Sequence, residues 1–102
     1  FRGILSTIYL DLKNNVSLRH VNSILKKFYK KDKFVKILPI NSILSTNDVI
    51  NTNYCYLSLC KSKYKNKLII LSVIDNLIKG GAGQAVQNLN YYFKYSEKKG
   101  LM

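Results

Sequence analysis

Three glycines within four positions, Gly80, Gly81 and Gly83, are the most unusual feature of this sequence. They lie in DNLIKGGAGQAVQNLN, residues 75–90, at the opening of a segment whose later residues favour a helix. Glycine in a helix is disfavoured by about 1 kcal/mol relative to alanine, so something must compensate. Two compensations stand level. One is tight packing of the helix on a sheet. The other is close approach of a flat ligand, whose anionic or carbonyl group would meet the free N–H groups of the helix start. The cluster is not a dinucleotide fingerprint, because Asp75 to Lys79 intervene after the apolar run ending at Ile74. No acidic residue stands about 20 positions on at the end of a second strand either. It also lacks the closing Lys-Ser/Thr of a P-loop.

Arg2 is the next candidate. The chain has two arginines against fifteen lysines, and a guanidinium kept in so lysine-rich a sequence suits planar, bidentate contact with an anion. Cys55 and Cys60 have no partner Cys or His at metal-ligand spacing, so no metal site is expected. Both fall inside a strand-like segment among Tyr and Leu, without the cationic neighbour or helix start that activates a thiol, and read as structural. His20 stands beside Arg19 on an amphipathic segment with no acid, Ser or Cys placed by local spacing, and is expected at the surface. The runs Lys26-Lys27 and Lys30-Lys31-Asp32-Lys33 read as the wet face and exit of the same helix. Their alternative is a phosphate-backbone patch with Tyr29 and Phe34 for stacking.

The elements that must position these residues follow from periodicity. Gly3 to Leu12 nearly alternates, with Ile4, Ile8, Leu10 and Leu12 on one face, and predicts a strand with that face buried. Asn14 and Asn15 supply a turn, and Ser17 an N-cap. Leu18, Val21, Ile24, Leu25 and Phe28 then recur at helical spacing, predicting a helix over Leu18 to Tyr29. A short strand over Phe34 to Leu38 stops at Pro39, and Ile40 to Thr52 reads as a long polar loop. Tyr54 to Lys61 and Lys67 to Ile74 read as a hairpin joined by Ser62 to Asn66. The second of these strands is so continuously apolar that it is expected to be central and covered on both faces. Leu77 to Tyr92 reads as one helix, and Lys94 to Met102 as a polar tail. The order β-α-β-loop-β-β-α predicts an α+β fold, a mixed, largely antiparallel sheet with covering helices.

Composition sets the outer bounds. A chain of 102 residues with 47% hydrophobic content is one domain with a packed core, too short for an enzyme carrying a complete cofactor fold of its own. The net charge of +12 raises nucleic acid as a partner. Against that, Lys, Asn, Ile and Tyr make up 45 of the 102 residues. All four are encoded by AT-rich codons, which accounts for the basicity without selection for an acidic partner. The chain opens at Phe1 directly into a strand, without initiator Met or signal-peptide pattern, and is expected to be a fragment of something longer. Two cysteines fit a reducing compartment.

RGILSTIYL at 2–10, TNYC at 52–55 and DNLIKGGAGQAVQNLN at 75–90, with Glu97, Gly100 and Leu101 in the tail, together resemble the C-terminal part of N-acetyl-gamma-glutamyl-phosphate reductase. The likeness runs through the whole chain in order. Aspartate-semialdehyde dehydrogenase shares a similar Asp-Asn-Leu, Lys-Gly and Ala-Val-Gln skeleton. The opening block and the stretch from Gly83 to Asn88 favour the arginine-pathway enzyme. The resemblance implies a glyceraldehyde-phosphate-dehydrogenase-like catalytic and dimerisation domain over residues 1–76. Residues 77–102 would pack back toward an NADP-binding domain that this chain lacks. It implies NADPH-dependent reduction of an acyl phosphate to a semialdehyde by a homo-oligomer, a dimer or tetramer. The setting would be cytoplasmic, or alternatively organellar, with no membrane and no nucleic acid as partner.

In that family a cysteine thiolate attacks the acyl phosphate and a histidine assists. Cys55, Cys60 and His20 match neither position, so no catalytic residue is expected here and the fragment alone is expected to be inactive. Arg2 and Gly3 match an Arg-Gly near the substrate phosphate. Asn76, Lys79, Gly80, Gly83 and Gln84 match the block approaching the nicotinamide end of the cofactor. Two positions depart from the family: Asn51 stands where Gly is usual, which bears on the loop before Tyr54, and Gly81 where Ala is usual. The remaining alternative, from the charge alone, is a small basic nucleic-acid-binding module.

Overall fold

The structure is a computed structural model describing residues 1–102. Four strands, β1 (Ile4–Asp11), β2 (Val35–Ile37), β3 (Cys55–Lys61) and β4 (Lys67–Ile74), form one mixed sheet in the order β1-β4-β3-β2. The pairs β1–β4 and β3–β4 are antiparallel, while β2 runs parallel to β3. The parallel pair needs a long crossover, which the polar loop supplies. Helix α1 (Leu18–Phe28) begins where Ser17 Oγ accepts the N–H of His20 at 3.1 Å, and ends in Lys26 and Lys27, which complement its dipole. The ladder of β2 extends one bond further, Leu38 N to Leu57 O at 2.8 Å. Pro39, with no N–H to give, ends it.

The α+β class, the mixed sheet and the hairpin agree with the sequence reading. The burial does not. All eight residues of β1 are exposed on both faces, instead of one face being buried. The reason is topological: β1 is an edge strand whose sole partner in the sheet is β4, while α1 packs over β3 and β2 at the other side. Strand β4 is central, but Ile69, Ile70 and Leu71 are only half-buried, so its cover is incomplete.

The loop from Ile40 to Thr52 does more than cross over. It contains a 3-10 turn, Thr46–Asp48, closed by reciprocal bonds from Asn47 N to Ser45 Oγ and from Ser45 N to Asp48 Oδ2. That turn brings Leu44 and Val49 against Val73, with Leu71 and Tyr56 beside them, so the loop covers one sheet face. Leu59 and Leu68, fully buried, belong to the opposite face, which α1 covers over β3. Each such side chain contributes about 1.5–3 kcal/mol.

The expected single helix over Leu77 to Tyr92 is broken in two. Ile78–Ala82 is a wide π-turn, with Gly81 at φ −150°, ψ −114°, and the α-helix proper, α2, is Gly83–Tyr92. Asp75 causes the widening: its Oδ1 accepts from Leu77 N and Ile78 N, and its carbonyl takes Gly80 N at 3.1 Å. The loop closed from Asp75 to Gly80 is thus one residue wider than an α-turn. Residues beyond Phe93 are not a loose tail either. Asn90 Nδ2 donates to the carbonyls of Glu97 and Lys99, and Asn53 N donates to the carbonyl of Met102 at 2.7 Å.

Candidate functional site

The start of β1 and the end of β4 are opposite one another, Ile4 facing Ile74 across the ladder. Past those strand ends the contact continues through side chains. Arg2 Nε and Nη2 donate to Asp75 Oδ2 at 3.0 and 2.6 Å, and Gly3 N donates to Asn76 Oδ1 at 2.7 Å. The dipeptides 2–3 and 75–76 therefore clamp each other, although 73 residues separate them in sequence. Two blocks that the sequence reading assigned to different ligands, Arg2 and Gly3 to the phosphate and Asn76 to the cofactor, meet within hydrogen-bond distance.

Asp75 is the centre of this clamp. It is fully buried and its carboxylate accepts five hydrogen bonds, two from Arg2 and one each from the N–H groups of Asn51, Leu77 and Ile78. Burial alone would push its carboxyl up. The donors outweigh that and hold it down at about 2, Asn51 N–H and Arg2 foremost. Asn51 adds a third hold on the guanidinium, its Oδ1 accepting from Arg2 Nη2 at 2.5 Å. Asn51 has φ +63°, in the left-handed region that Gly and Asn share, which explains the departure from the family's glycine. Arg2 retains 19% of its side-chain exposure, and its Nη1 makes no hydrogen bond within the chain.

Gly3 has φ +110°, and a Cβ there would lie 2.6 Å from Thr46 Cβ, so only glycine lets the 3-10 turn close over the clamp. The glycines of the second block divide. A Cβ at Gly83 would lie 2.7 Å from both the carbonyl oxygen and Cγ2 of Ile78, so packing accounts for this one. Gly80, Gly81 and Ala82 are instead exposed and present a low, flat surface.

Lys79 and Gln84 flank that surface. Lys79 Nζ donates to Gln87 Oε1 at 2.8 Å and stands 5.6 Å from the centre of the Phe34 ring. Burial lowers the Lys79 ammonium below its ordinary value, against the opposing pull of Cys55, Glu97 and Asp32. Gln87 is a relay, since its Oε1 also accepts from Asn53 Nδ2 and its Nε2 donates to Glu97 Oε2. Gln84 Nε2 donates to Asn88 Oδ1 one helical turn on. Asn53 is fully buried, and its Oδ1 lies against Gly83 with no donor.

Sequence reasoning gave no role to Asp75, Asn53 and Gln87, and read Asn51 only as a departure bearing on the loop before Tyr54. All four are polar residues spent on internal bonds, and none carries a spacing signal of its own. Cys55 and Cys60 are free thiols in β3, half-buried, with Sγ near Ser72 Oγ at 3.7 Å and Ser42 O at 3.8 Å respectively. His20 is exposed on α1. No group of three His, Cys, Asp or Glu side chains is placed to hold a metal ion, and no helix is long and apolar enough to cross a membrane.

Comparison with known proteins adds a family to this geometry. Residues 1–76 match the model of the semialdehyde dehydrogenase dimerisation domain. The chain is 45% identical over 100 residues to an N-acetyl-gamma-glutamyl-phosphate reductase of Clostridium kluyveri and 48% identical to one of Ehrlichia chaffeensis. One from Halothermothrix orenii is 45% identical. Each alignment covers 98% of this chain but 29% of the relative, so the chain spans under a third of the length of the curated relatives it matches.

Proposed function

This chain belongs to the semialdehyde dehydrogenase dimerisation-domain family, and from that membership we propose that it is the C-terminal part of an N-acetyl-gamma-glutamyl-phosphate reductase. The reaction is reduction of N-acetyl-glutamyl 5-phosphate by NADPH and a proton, giving the 5-semialdehyde, phosphate and NADP, within arginine biosynthesis. Relatives of that name across 98% of the chain support this reading over the aspartyl-phosphate enzyme. The single structural observation that carries it is the clamp joining Arg2-Gly3 to Asp75-Asn76, which ties an arginine with an amine unbonded within the chain to the carboxylate that opens the glycine segment.

In this reading Arg2 binds the substrate phosphate. Its Nε and Nη2 are held by Asp75, and Nη1 is left to donate to a phosphate oxygen. Gly3 sits beside it because any side chain there would displace the turn at Thr46. The residues present fit a nicotinamide cofactor. Gly80, Gly81 and Ala82 give an uncluttered surface, Asn76, Lys79 and Gln84 offer polar groups from the same segment, and Gly83, buried against Ile78, lets that segment lie close to the residues beneath it. The cofactor supplies the hydride. This chain's residues bind and orient, and the thiolate and histidine of the chemistry lie in the rest of the protein, as does the NADP-binding domain toward which residues 77–102 pack. These 102 residues alone are therefore inactive. The homo-oligomer, a dimer or tetramer, works in the cytoplasm.

The test is phosphate-dependent reduction of NADP by the full-length protein given N-acetyl-glutamate 5-semialdehyde, with aspartate semialdehyde as the comparison. Turnover with the acetylated substrate at least about tenfold above the other, in kcat/KM, is expected. Preference for aspartate semialdehyde, or no turnover with either, overturns the assignment.

A further inference from the structure

We infer that Asp75 is a positioning residue for the substrate phosphate, acting through Arg2 by fixing which guanidinium amine is left to bind. This rests on the proposed function above and deepens it by naming what orients the phosphate contact. The argument starts from a mismatch between the clamp and ordinary ion pairing. Arg2 and Asp75 do not form the symmetric fork in which each carboxylate oxygen takes one amine. Both Nε and Nη2 donate to the same oxygen, Oδ2, at 3.0 and 2.6 Å. The other oxygen, Oδ1, is committed to Leu77 N and Ile78 N at 2.9 and 3.2 Å.

The carboxylate is thereby locked by the backbone of the π-turn and by Asn51 N, and cannot rotate to follow the arginine. A guanidinium gripped along its Nε–Nη2 edge, with Asn51 Oδ1 holding Nη2 from another side, has a single orientation. Nη1 is the amine that orientation leaves unbonded, on a side chain that keeps 19% exposure beside the fully buried Asp75 carboxylate. An arginine merely holding the fold together would be expected to spend Nη1 as well. Preorganising a donor in this way removes the cost of ordering it when the anion binds.

The geometry also joins this phosphate donor to the cofactor surface. The two backbone groups on Oδ1 begin the turn that carries Lys79, Gly80 and Gly81. One carboxylate therefore sets both the arginine and the entry to the glycine segment.

The experiment is a double-mutant cycle in the full-length protein, using inorganic phosphate as the varied substrate of the NADP-reducing direction. Arg2→Gln is expected to raise the phosphate KM about 10- to 100-fold, the loss of a charge-assisted contact. Asp75→Asn keeps the shape but loosens the grip, and should raise the same KM about tenfold while changing the NADP KM less than about threefold. The double variant should match Arg2→Gln within about twofold, because Asp75 acts on phosphate only through Arg2.

A purely structural Asp75 predicts the reverse, that its substitution costs as much with Gln at position 2 as with Arg. That additivity overturns the inference, and so does a phosphate KM unmoved by Asp75→Asn. If Asp75→Asn does not fold, Asn51→Gly, which keeps the left-handed backbone, removes only the hold on Nη2. It should raise the phosphate KM about two- to fivefold beside Arg2 and not at all beside Gln; no rise beside Arg2 counts against the inference. A wild-type protein that reduces no NADP with phosphate present sinks the proposed function instead, so the two failures are distinct.

Discussion

Met102 accepts the backbone N–H of Asn53 at its carbonyl oxygen, at 2.7 Å, and so ties the end of the polar segment to a position two residues before β3. Asn53 is fully buried, which leaves that N–H no water to turn to. Asn90, almost as buried, relies on the carbonyls of Glu97 and Lys99 in the same segment. Removing residues 96–102 from the full-length protein is therefore expected to cost about 2 kcal/mol or more, since each stranded buried donor costs about 1–3 kcal/mol. The midpoint of denaturant unfolding reads this directly, and an unshifted midpoint would show the segment to be dispensable.

Gly83 gives a test with an unusual sign. Glycine to alanine within a helix ordinarily stabilises by about 1 kcal/mol. Here the added methyl meets the Ile78 carbonyl oxygen and Cγ2 at 2.7 Å. Overpacking of this kind costs about 1–3 kcal/mol, so Gly83→Ala should lower the melting temperature. A rise in melting temperature would mean that the π-turn yields easily.

Asp75 should make stability acid-sensitive. Its folded pKa, about 2, is below the unfolded value of about 3.9. Its contribution is present above the unfolded value and is lost as pH falls through the folded one. The stability gap between wild type and Asp75→Asn, followed by chemical denaturation, should therefore narrow as pH drops from about 4 to about 2. A gap that stays constant across that window would place the relevant titration elsewhere.

Lys98 Nζ donates to Tyr54 OH at 3.0 Å. That bond, with the charges of Lys98 and Lys36, holds the Tyr54 phenol below its ordinary value. Lys98→Met should move it up toward that value, read by NMR titration of the Tyr54 ring carbon. No upward movement would leave the folded-back segment without this electrostatic contact.

Ile4, Ile8 and Leu10 share one face of β1 and are all exposed within this chain. Membership in a dimerisation-domain family makes that face a candidate contact between copies. Ile8→Asp in the full-length protein is expected to weaken self-association at least about tenfold, measured by sedimentation. Lost stability with an unchanged oligomer would assign the face to contact within one subunit.

The sequence made the elements legible because their signals are local. Ser17 announces the start of α1, Pro39 the end of β2, and alternation marks β3, with boundaries displaced by a residue or so. What stayed hidden depends on distance. Nothing near β1 says that it is an edge strand, because its exposure is decided by where α1 lies, over β2 and β3. The π-turn was unreadable from helical spacing, since a carboxylate before the helix widens it. At the candidate site the residue types were legible and their bonding was not. Arg2 stood out by its rarity, while its partner Asp75 is one acidic residue among five.

The strand order carries a consequence for synthesis. A ribosome makes β1 before β4, and the first ladder contact to become available, Asp11 with Lys67, lies 56 residues downstream. At translation speeds of about 5–20 residues per second, β1 waits roughly 3–11 s for its neighbour in this sheet. During that interval the edge of β1 that β4 will occupy keeps its backbone N–H and C=O groups without their ladder partners. The β1–β4 ladder is therefore a late, long-range closure, which makes assembly of this sheet slow for its size.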